Sequence, residues 1–246
     1  MANLSHKIQK PTIILTHITT LTGLILMVIW CGKYLGGFST KKGEEFNWHP
    51  FCMYFGFMFC FGHAALVYRL LPFEHLTKKI IHLLLQTLGM ISVSLGLAAV
   101  VIFHNQNKYA HFYSLHSWLG IAVYAIFVLQ YLSSFISFFY PKISPEKRAA
   151  FMPWHMLFGS WLYIAVGIVC LLGMQEKLGF LGGDDSCSKR STVCKIGNSI
   201  GVIIFISVLL LYISLYNFNK PMPYDDDDKE DEVEIEDDEY QSLEQN

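Results

Sequence analysis

Residues 80–107 read IIHLLLQTLGMISVSLGLAAVVIFHNQN, 28 positions without a formal charge when histidine is counted neutral. As a helix rising 1.5 Å per residue, the run reaches about 42 Å, more than the roughly 30 Å hydrocarbon core of a bilayer. Strands of a membrane barrel would alternate apolar and polar residues over about ten positions, and this run does not. A helix is the open-ended form that satisfies its own backbone polar groups in lipid. Working outward, uncharged runs recur at 11–32, 46–68, 109–141, 149–175 and 196–219. Each exceeds the roughly 20 residues that a helical crossing needs. The expectation is an all-α membrane protein with six transmembrane helices near 12–31, 50–68, 79–102, 115–138, 154–174 and 198–218. The first run is long, ends in Trp30-Cys31-Gly32-Lys33 and has no evident small-residue cleavage site. It is read as a helix, not a cleaved signal peptide. An even number of crossings puts both termini on one side.

Composition agrees. Of 246 residues, 53% are apolar and 15% charged, with a mean hydropathy of +0.38. Soluble globular domains carry about 25% charged residues, so a soluble enzyme and a disordered chain are both disfavoured. The formal net charge of −2 hides two different segments. Positions 225–246 hold 13 of the 20 acidic residues, and the chain before them carries 17 Lys/Arg against 7 Asp/Glu. Such an imbalance calls for separate readings. The expected organisation is an N-terminal segment over 1–11, a six-helix domain over 12–219 and an acidic tail over 220–246. The tail has too few large apolar side chains to offset its ordering entropy and is read as disordered. No nucleic-acid partner is expected.

Orientation is weakly written. With cytosolic termini, nine Lys/Arg fall inside and eight outside before position 225, which barely engages the positive-inside rule. Two signs break the tie. Cys187 and Cys194 in the fifth connection form a spaced pair that could bridge in an oxidising compartment. Tyr240-Gln-Ser-Leu243 in the tail resembles a tyrosine-based sorting signal read by cytosolic adaptors. Both favour cytosolic termini. An endosomal, lysosomal or secretory-vesicle membrane follows, with the plasma membrane as the alternative.

Four of the ten histidines stand out by position. His49, His82, His116 and His155 lie near the starts of the second, third, fourth and fifth helices. Chain direction sorts them into two pairs. His49 and His116 begin at the outer surface, and His82 and His155 at the inner one. Polar residues within spans usually face the bundle interior and often mark function. Two axial nitrogens from facing helices are what a six-coordinate haem iron requires. The second to fifth helices then form a central four-helix bundle able to hold two haems stacked through the bilayer. The plainer alternative makes these interfacial histidines bonded to backbone or headgroups, in a haem-free transporter or structural protein. A pattern with a second histidine at i+14 on each of two helices fails. Gln130 stands at that place after His116, Val169 after His155 and Gly96 after His82. Only His63 follows His49 so, and it reads as a packed residue, as does His17. The glycines of these helices allow either close helix approach or room for a flat macrocycle. The stripe Phe51, Phe55, Phe57 and Phe59 reads as packing.

Several motifs resemble the cytochrome b561 family of transmembrane electron carriers. They are Phe46-Asn-Trp-His-Pro50, Val67-Tyr-Arg-Leu70, Phe103-His-Asn105, Tyr113-Ser-Leu-His-Ser-Trp-Leu-Gly120 and Met152-Pro-Trp-His155. The resemblance covers about residues 15–218 and excludes the acidic tail. It implies a homodimer in membrane lipid, with two b haems per chain. His49 and His116 would bind the non-cytosolic haem, and His82 and His155 the cytosolic one. It implies a transmembrane ascorbate-dependent oxidoreductase that passes electrons to monodehydroascorbate or ferric iron. Lys79 and Arg148 match the family's ascorbate positions, and His104, Asn105 and Tyr113 match its acceptor region. The side chains at these places suit the chemistry. Ascorbate is a monoanion, and Lys78, Lys79 and Arg148 lie four, three and seven residues before His82 or His155. Arg69 could join them or act as an interfacial anchor. His75 stands where some relatives have another basic residue. His104 and Asn105 fall just past the expected end of the third helix, in a loop, where an imidazole could bind ferric iron or hydrogen-bond an ascorbate species. His111 is a nearby loop imidazole. A further alternative keeps the haems but makes the chain an electron-supplying subunit for a partner enzyme.

Overall fold

The computed structural model describes residues 2–42, 44–183, 187 and 191–215. Among these residues there are no strands, and six helices are long and apolar enough to cross a membrane. They are α1 (Ala2–Ile29), α2 (Glu45–Leu70), α3 (His75–Asn107), α4 (Leu115–Phe138), α5 (Pro145–Gly183) and α6 (Thr192–Leu215). The acidic tail with Tyr240-Gln-Ser-Leu243, and the last three positions expected of the sixth helix, lie outside the described residues.

Four helices form a ring in which α2 packs on α3 and α5, and α4 packs on α5. Hydroxyl pairs close the fourth side. Thr87 Oγ1 meets the Tyr131 phenol at 2.8 Å, and Ser94 Oγ meets that of Tyr124 at 2.9 Å, both joining α3 to α4. Interhelical hydrogen bonds in a membrane contribute about 0.6–2 kcal/mol each. The closest approach is between α2 and α3. A Cβ on Gly56 would lie 2.8 Å from the Gly89 carbonyl oxygen, and one on Gly89 would lie 3.1 Å from that of Gly56. These glycines serve backbone approach.

Helices α1 and α6 pack as a pair beside the ring. Their contact buries Thr16 and Thr20, whose hydroxyls donate back to the carbonyls of Thr12 and Thr16 at 2.7 Å each. Ser207 bonds Thr19 across the seam at 2.9 Å. The indole of the fully buried Trp30 donates to the Val193 carbonyl at 2.8 Å. Beside it a disulfide joins Cys187 to Cys194, with Cα atoms 5.5 Å apart. Cys31, Cys52 and Cys60 are buried thiols, and Cys170 is half-buried.

Helices α3 and α5 run well past the expected ends at 79–102 and 154–174. Charged and polar flanks such as Lys78-Lys79 and Glu146-Lys147-Arg148 hydrate outside the apolar core yet keep good helix propensity. Hydropathy marks the core, not the helix. Pro153 lies inside α5 without ending it. Consequently His104 and Asn105 sit on the last turns of α3, not in a loop. Helix α2 carries a π-helical stretch over Tyr54–Phe61. There Tyr163 of α5 donates its hydroxyl to the Met58 carbonyl at 3.1 Å. Phe51, Phe55 and Phe59 stack in sequence at 6.2 and 5.8 Å, and Phe57 packs edge-on to Phe127 at 5.2 Å. The stripe is packing, as its sequence suggests.

Candidate functional site

The four selected histidines meet inside the ring as two couples. The imidazole centres of His49 and His116 are 6.1 Å apart, and those of His82 and His155 are 6.2 Å apart. A metal ion held between two imidazole nitrogens at about 2 Å each would set opposed ring centres about 6 Å apart. Both couples therefore have the spacing of a bis-histidine site.

The outer nitrogens are also prepared. His49 Nδ1 lies 3.0 Å from the Gly96 carbonyl oxygen, His82 Nδ1 lies 2.8 Å from that of Ala64, and His116 Nδ1 lies 3.0 Å from that of Val169. Carbonyls only accept, so the proton sits on Nδ1 and Nε2 presents its lone pair. A metal-bound histidine is normally oriented in this way. His155 Nδ1 instead meets Ser134 Oγ at 2.8 Å and Gln130 Nε2 at 3.0 Å.

These partners follow a register. Gly96 stands at i+14 from His82, Val169 at i+14 from His155, and Gln130 at i+14 from His116. Each helix thus bears a histidine at one level and steadies a neighbour's histidine at the other. That interval, close to four turns, rises about 21 Å, which is the separation of the levels. On α2 the partner is Ala64, at i+15 from His49. The π stretch lies between them. Its i→i+5 bonds widen each turn, so one more residue covers the same rise. His63, at the i+14 place, faces elsewhere. Its Nδ1 bonds the Phe59 carbonyl at 2.7 Å, and its ring lies 4.5 Å from that of His17. It is a packed histidine, as read from the sequence.

An apolar cavity surrounds the first couple and is lined by His49, His116, Phe46, Gly120, Val123 and Tyr124 among others. Gly173 makes room for one ring, since a Cβ there would lie 2.6 Å from His116 Cε1. His104, His111, Tyr113, Glu176 and Lys177 line the same cavity. The Ala110 carbonyl holds His104 Nδ1 at 3.1 Å, and His111 Nε2 meets Asn105 Oδ1 at 2.9 Å. Tyr113 stacks on His104 at 6.4 Å. Partial desolvation at the cavity mouth, reinforced by a hydrogen bond to the Glu176 carboxylate and by its charge, holds the phenol of the largely exposed Tyr113 above its usual pKa. Ser114 Oγ bonds Glu176 Oε2 at 3.1 Å, and the Lys177 ammonium sits 4.3 Å over the Phe46 ring. Glu176 and Lys177 were legible in the sequence only as the charges that close the fifth uncharged run. Among the described residues, no three His, Cys, Asp or Glu side chains come together to hold a metal ion.

At the second level, Tyr68 lies between His75 and His82, at 5.6 and 5.7 Å. Lys78 and Lys79 precede His82 by one turn on the same face of α3. Arg148 is buried on the first turns of α5 and donates Nη1 to the Ile143 carbonyl at 2.9 Å. Arg69 leaves this group. Its Nη2 donates to the Leu215 carbonyl at 2.6 Å and so caps α6. The FNWHP motif also has a structural half. Asn47 Nδ2 donates to the carbonyls of Leu35 and Gly37 at 2.8 and 2.7 Å, and the Trp48 indole to that of Ser39 at 3.0 Å. These bonds pin the first connection beside His49.

Residues 48–181, which carry all four histidines, match the family described as eukaryotic cytochrome b561. The chain belongs to the cytochrome b561 family. Membership implies b-type haem, and the donor set and ring spacing of both couples fit that group, as do the Nδ1–H tautomers that carbonyls impose on His49, His82 and His116. The chain is similar to transmembrane ascorbate ferrireductase 1 of Arabidopsis thaliana, 37% identical over 174 residues, covering 69% of this chain and 73% of the relative. It is 36% identical over 189 residues to the transmembrane ascorbate-dependent reductase CYB561 of Homo sapiens, with coverage of 75% and 74%. Ascorbate-specific transmembrane electron transporter 1 of Zea mays is 36% identical over 169 residues, with coverage of 67% and 72%.

Proposed function

We propose that this cytochrome b561 protein carries single electrons from ascorbate at the His82 end to ferric iron or monodehydroascorbate at the His49 end. The observation that carries the reading is the stacking of two opposed histidine couples inside one ring of helices, about 21 Å apart along α3. In this reading two b haems are held, one by His49 and His116 and one by His82 and His155. Bound haem supplies a reversible one-electron couple at each level, and bis-histidine ligation leaves no open position for oxygen.

The remaining side chains bind and orient the substrates. Lys78, Lys79 and Arg148 attract the ascorbate monoanion to the His82 end, with His75 and Tyr68 beside them. His104, Asn105 and Tyr113 receive the acceptor. His104 is held at Nδ1, which leaves Nε2 for a metal chelate or for a hydrogen bond to an organic acceptor. Glu176 takes the proton of the Tyr113 phenol in a hydrogen bond and keeps that phenol neutral, which leaves its oxygen to accept. The His49 end faces the non-cytosolic side. The Cys187–Cys194 bridge at that end supports this orientation, because disulfides persist in oxidising compartments. Both termini are then cytosolic, in an endosomal, lysosomal or secretory-vesicle membrane. Apolar outer faces contact lipid, and the working unit is a homodimer. The domain that does this spans residues 12–219, with the segment 1–11 and the tail 220–246 outside it.

Purified protein in sealed vesicles loaded with ascorbate tests the reading. It should reduce external ferric chelate and external monodehydroascorbate, and Lys79→Ala should raise the ascorbate requirement about tenfold. A charge-assisted hydrogen bond is worth about 1.5–3 kcal/mol, and partial exposure lowers that figure. Protein that comes out colourless after expression with ample haem would overturn the assignment. Coloured protein that reduces neither acceptor without an added partner would point to a subunit role.

A further inference from the structure

Three of the four couple histidines are tied to backbone carbonyls, and His155 alone is tied to side chains. Resting on the assignment of His82 and His155 to the cytosolic haem, we propose that Ser134 and Gln130 are positioning residues that set the reduction potential of that haem through His155.

The division of labour between the two residues follows from their donors and acceptors. A histidine that offers Nε2 to iron has no proton there, so Nδ1 carries it and needs an acceptor. Ser134 Oγ, at 2.8 Å, can accept. The Gln130 amide nitrogen cannot accept. Its orientation is set by the His155 carbonyl oxygen, to which Nε2 donates at 3.0 Å. An amide oxygen turned to that place would face another oxygen. Ser134 is thus the electronic partner of the ring, and Gln130 anchors its backbone.

Acceptor strength behind Nδ1–H governs how much electron density the imidazole gives to iron. A stronger acceptor stabilises the oxidised metal and lowers the potential, and a weaker one raises it. At the other level both rings rest on main-chain oxygens of Gly96 and Val169. No side-chain change alters those acceptors directly. The end where ascorbate delivers its electron is therefore the end whose potential responds to side-chain substitution. Ser134 and Gln130 lie one turn apart on α4, so both reach His155 from a single helix face.

The test is redox titration of the purified holoprotein, with the two haems resolved by low-temperature electron paramagnetic resonance. Ser134→Ala should retain two haems per chain and raise the potential of the cytosolic haem. The reduction equilibrium relative to the other haem should shift about tenfold, which is about 59 mV for a one-electron couple. Ser134→Asp should shift it the opposite way, and Ser134→Thr, which keeps the hydroxyl, should restore the parent value. Gln130→Leu should alter the resonance anisotropy of the cytosolic haem, because the His155 carbonyl loses its donor and the ring tilts with the backbone, with a smaller change in potential. The proposal is overturned if Ser134→Ala and Ser134→Asp keep two haems at unchanged potentials, or shift both haems alike. If Ser134→Ala loses a haem and Ser134→Thr loses it too, the hydroxyl is not the working group and the proposal also fails. Retention of both haems by His155→Ala would instead defeat the ligand assignment, a separate outcome.

Discussion

Tyr113 stacks on His104 at the cavity mouth and shares a hydrogen bond with Glu176. Its pKa is raised, first by partial desolvation of the phenol and then by the neighbouring carboxylate. For a phenol a raised pKa means that the neutral form persists to higher pH. An ordinary tyrosine already stays neutral to about pH 10, so this one keeps its single proton across the working range, gives it to Glu176 in a hydrogen bond and leaves its oxygen to accept from a bound substrate. Tyr113→Phe should therefore lower ferric-chelate reduction by about two- to tenfold, the worth of a neutral hydrogen bond near 0.5–1.5 kcal/mol. The same factor should appear at pH 5.5 and at pH 8. A factor that vanished at one pH would mean that Tyr113 titrates in between, contrary to its surroundings. Glu176 has the complementary task of keeping that hydroxyl pointed, and Ser114 at 3.1 Å keeps Glu176 in place.

At the scale of the element, α2 is the helix whose length is adjusted. The π stretch over Tyr54–Phe61 absorbs one residue and brings the Ala64 carbonyl, not that of His63, to His82. The extra residue keeps Ala64 at the place that an ordinary helix gives to i+14. Deleting Phe59 should let this stretch close to ordinary α-helix with Ala64 still opposite His82, whereas an alanine inserted after Gly62, beyond the stretch, should rotate Ala64 by about 100°, one residue's turn. Haem content should stay at two per chain in the deletion and fall toward one in the insertion, with loss of the cytosolic signal in the resonance spectrum. Loss of that signal in the deletion as well would show that the π geometry itself, and not the register, is required. The six spans were legible in the sequence because charge is expelled from the hydrocarbon core, and uncharged runs announce that expulsion. The pairing of the four histidines was legible because alternating chain direction fixes which ends meet. The true ends of α3 and α5 were not, since hydration of Lys78, Lys79 and Arg148 interrupts hydropathy without interrupting the helix. The π stretch was also hidden, because its residues are as apolar as their neighbours. Positions Gly96, Val169 and Gln130 could be noted as lacking histidine. Their use as partners depends largely on backbone oxygens, which carry no sequence signature. Arg69 shows the converse, since a basic residue near the candidate donor site turns out to cap α6.

At the scale of the molecule, the proposed donor and acceptor sites lie at opposite ends of one ring of helices, and the two histidine couples between them are about 21 Å apart. The runs 46–68, 80–107, 109–141 and 149–175 contain no Asp, Glu, Lys or Arg, so no carboxylate or amine chain crosses the space between the levels. An electron should therefore cross without a proton, and its passage should feel the membrane potential. Moving one charge through the whole potential costs about 2.3 kcal/mol per 100 mV. About 21 of roughly 30 Å takes about 70% of that, or near 1.6 kcal/mol, about a fifteenfold change in the equilibrium between levels. In ascorbate-loaded vesicles, a potassium diffusion potential of about 100 mV, positive inside, should slow external ferric reduction several-fold. The opposite polarity should not slow it. Each negative charge that leaves makes the interior more positive, so a potassium ionophore at zero gradient should also sustain a rate that otherwise decays. Equal rates at both polarities, with vesicles shown to be sealed, would mean that a compensating proton travels with the electron. The apolar ring would then contain a proton path through residues such as Tyr124 and Tyr131, whose hydroxyls link α4 to α3.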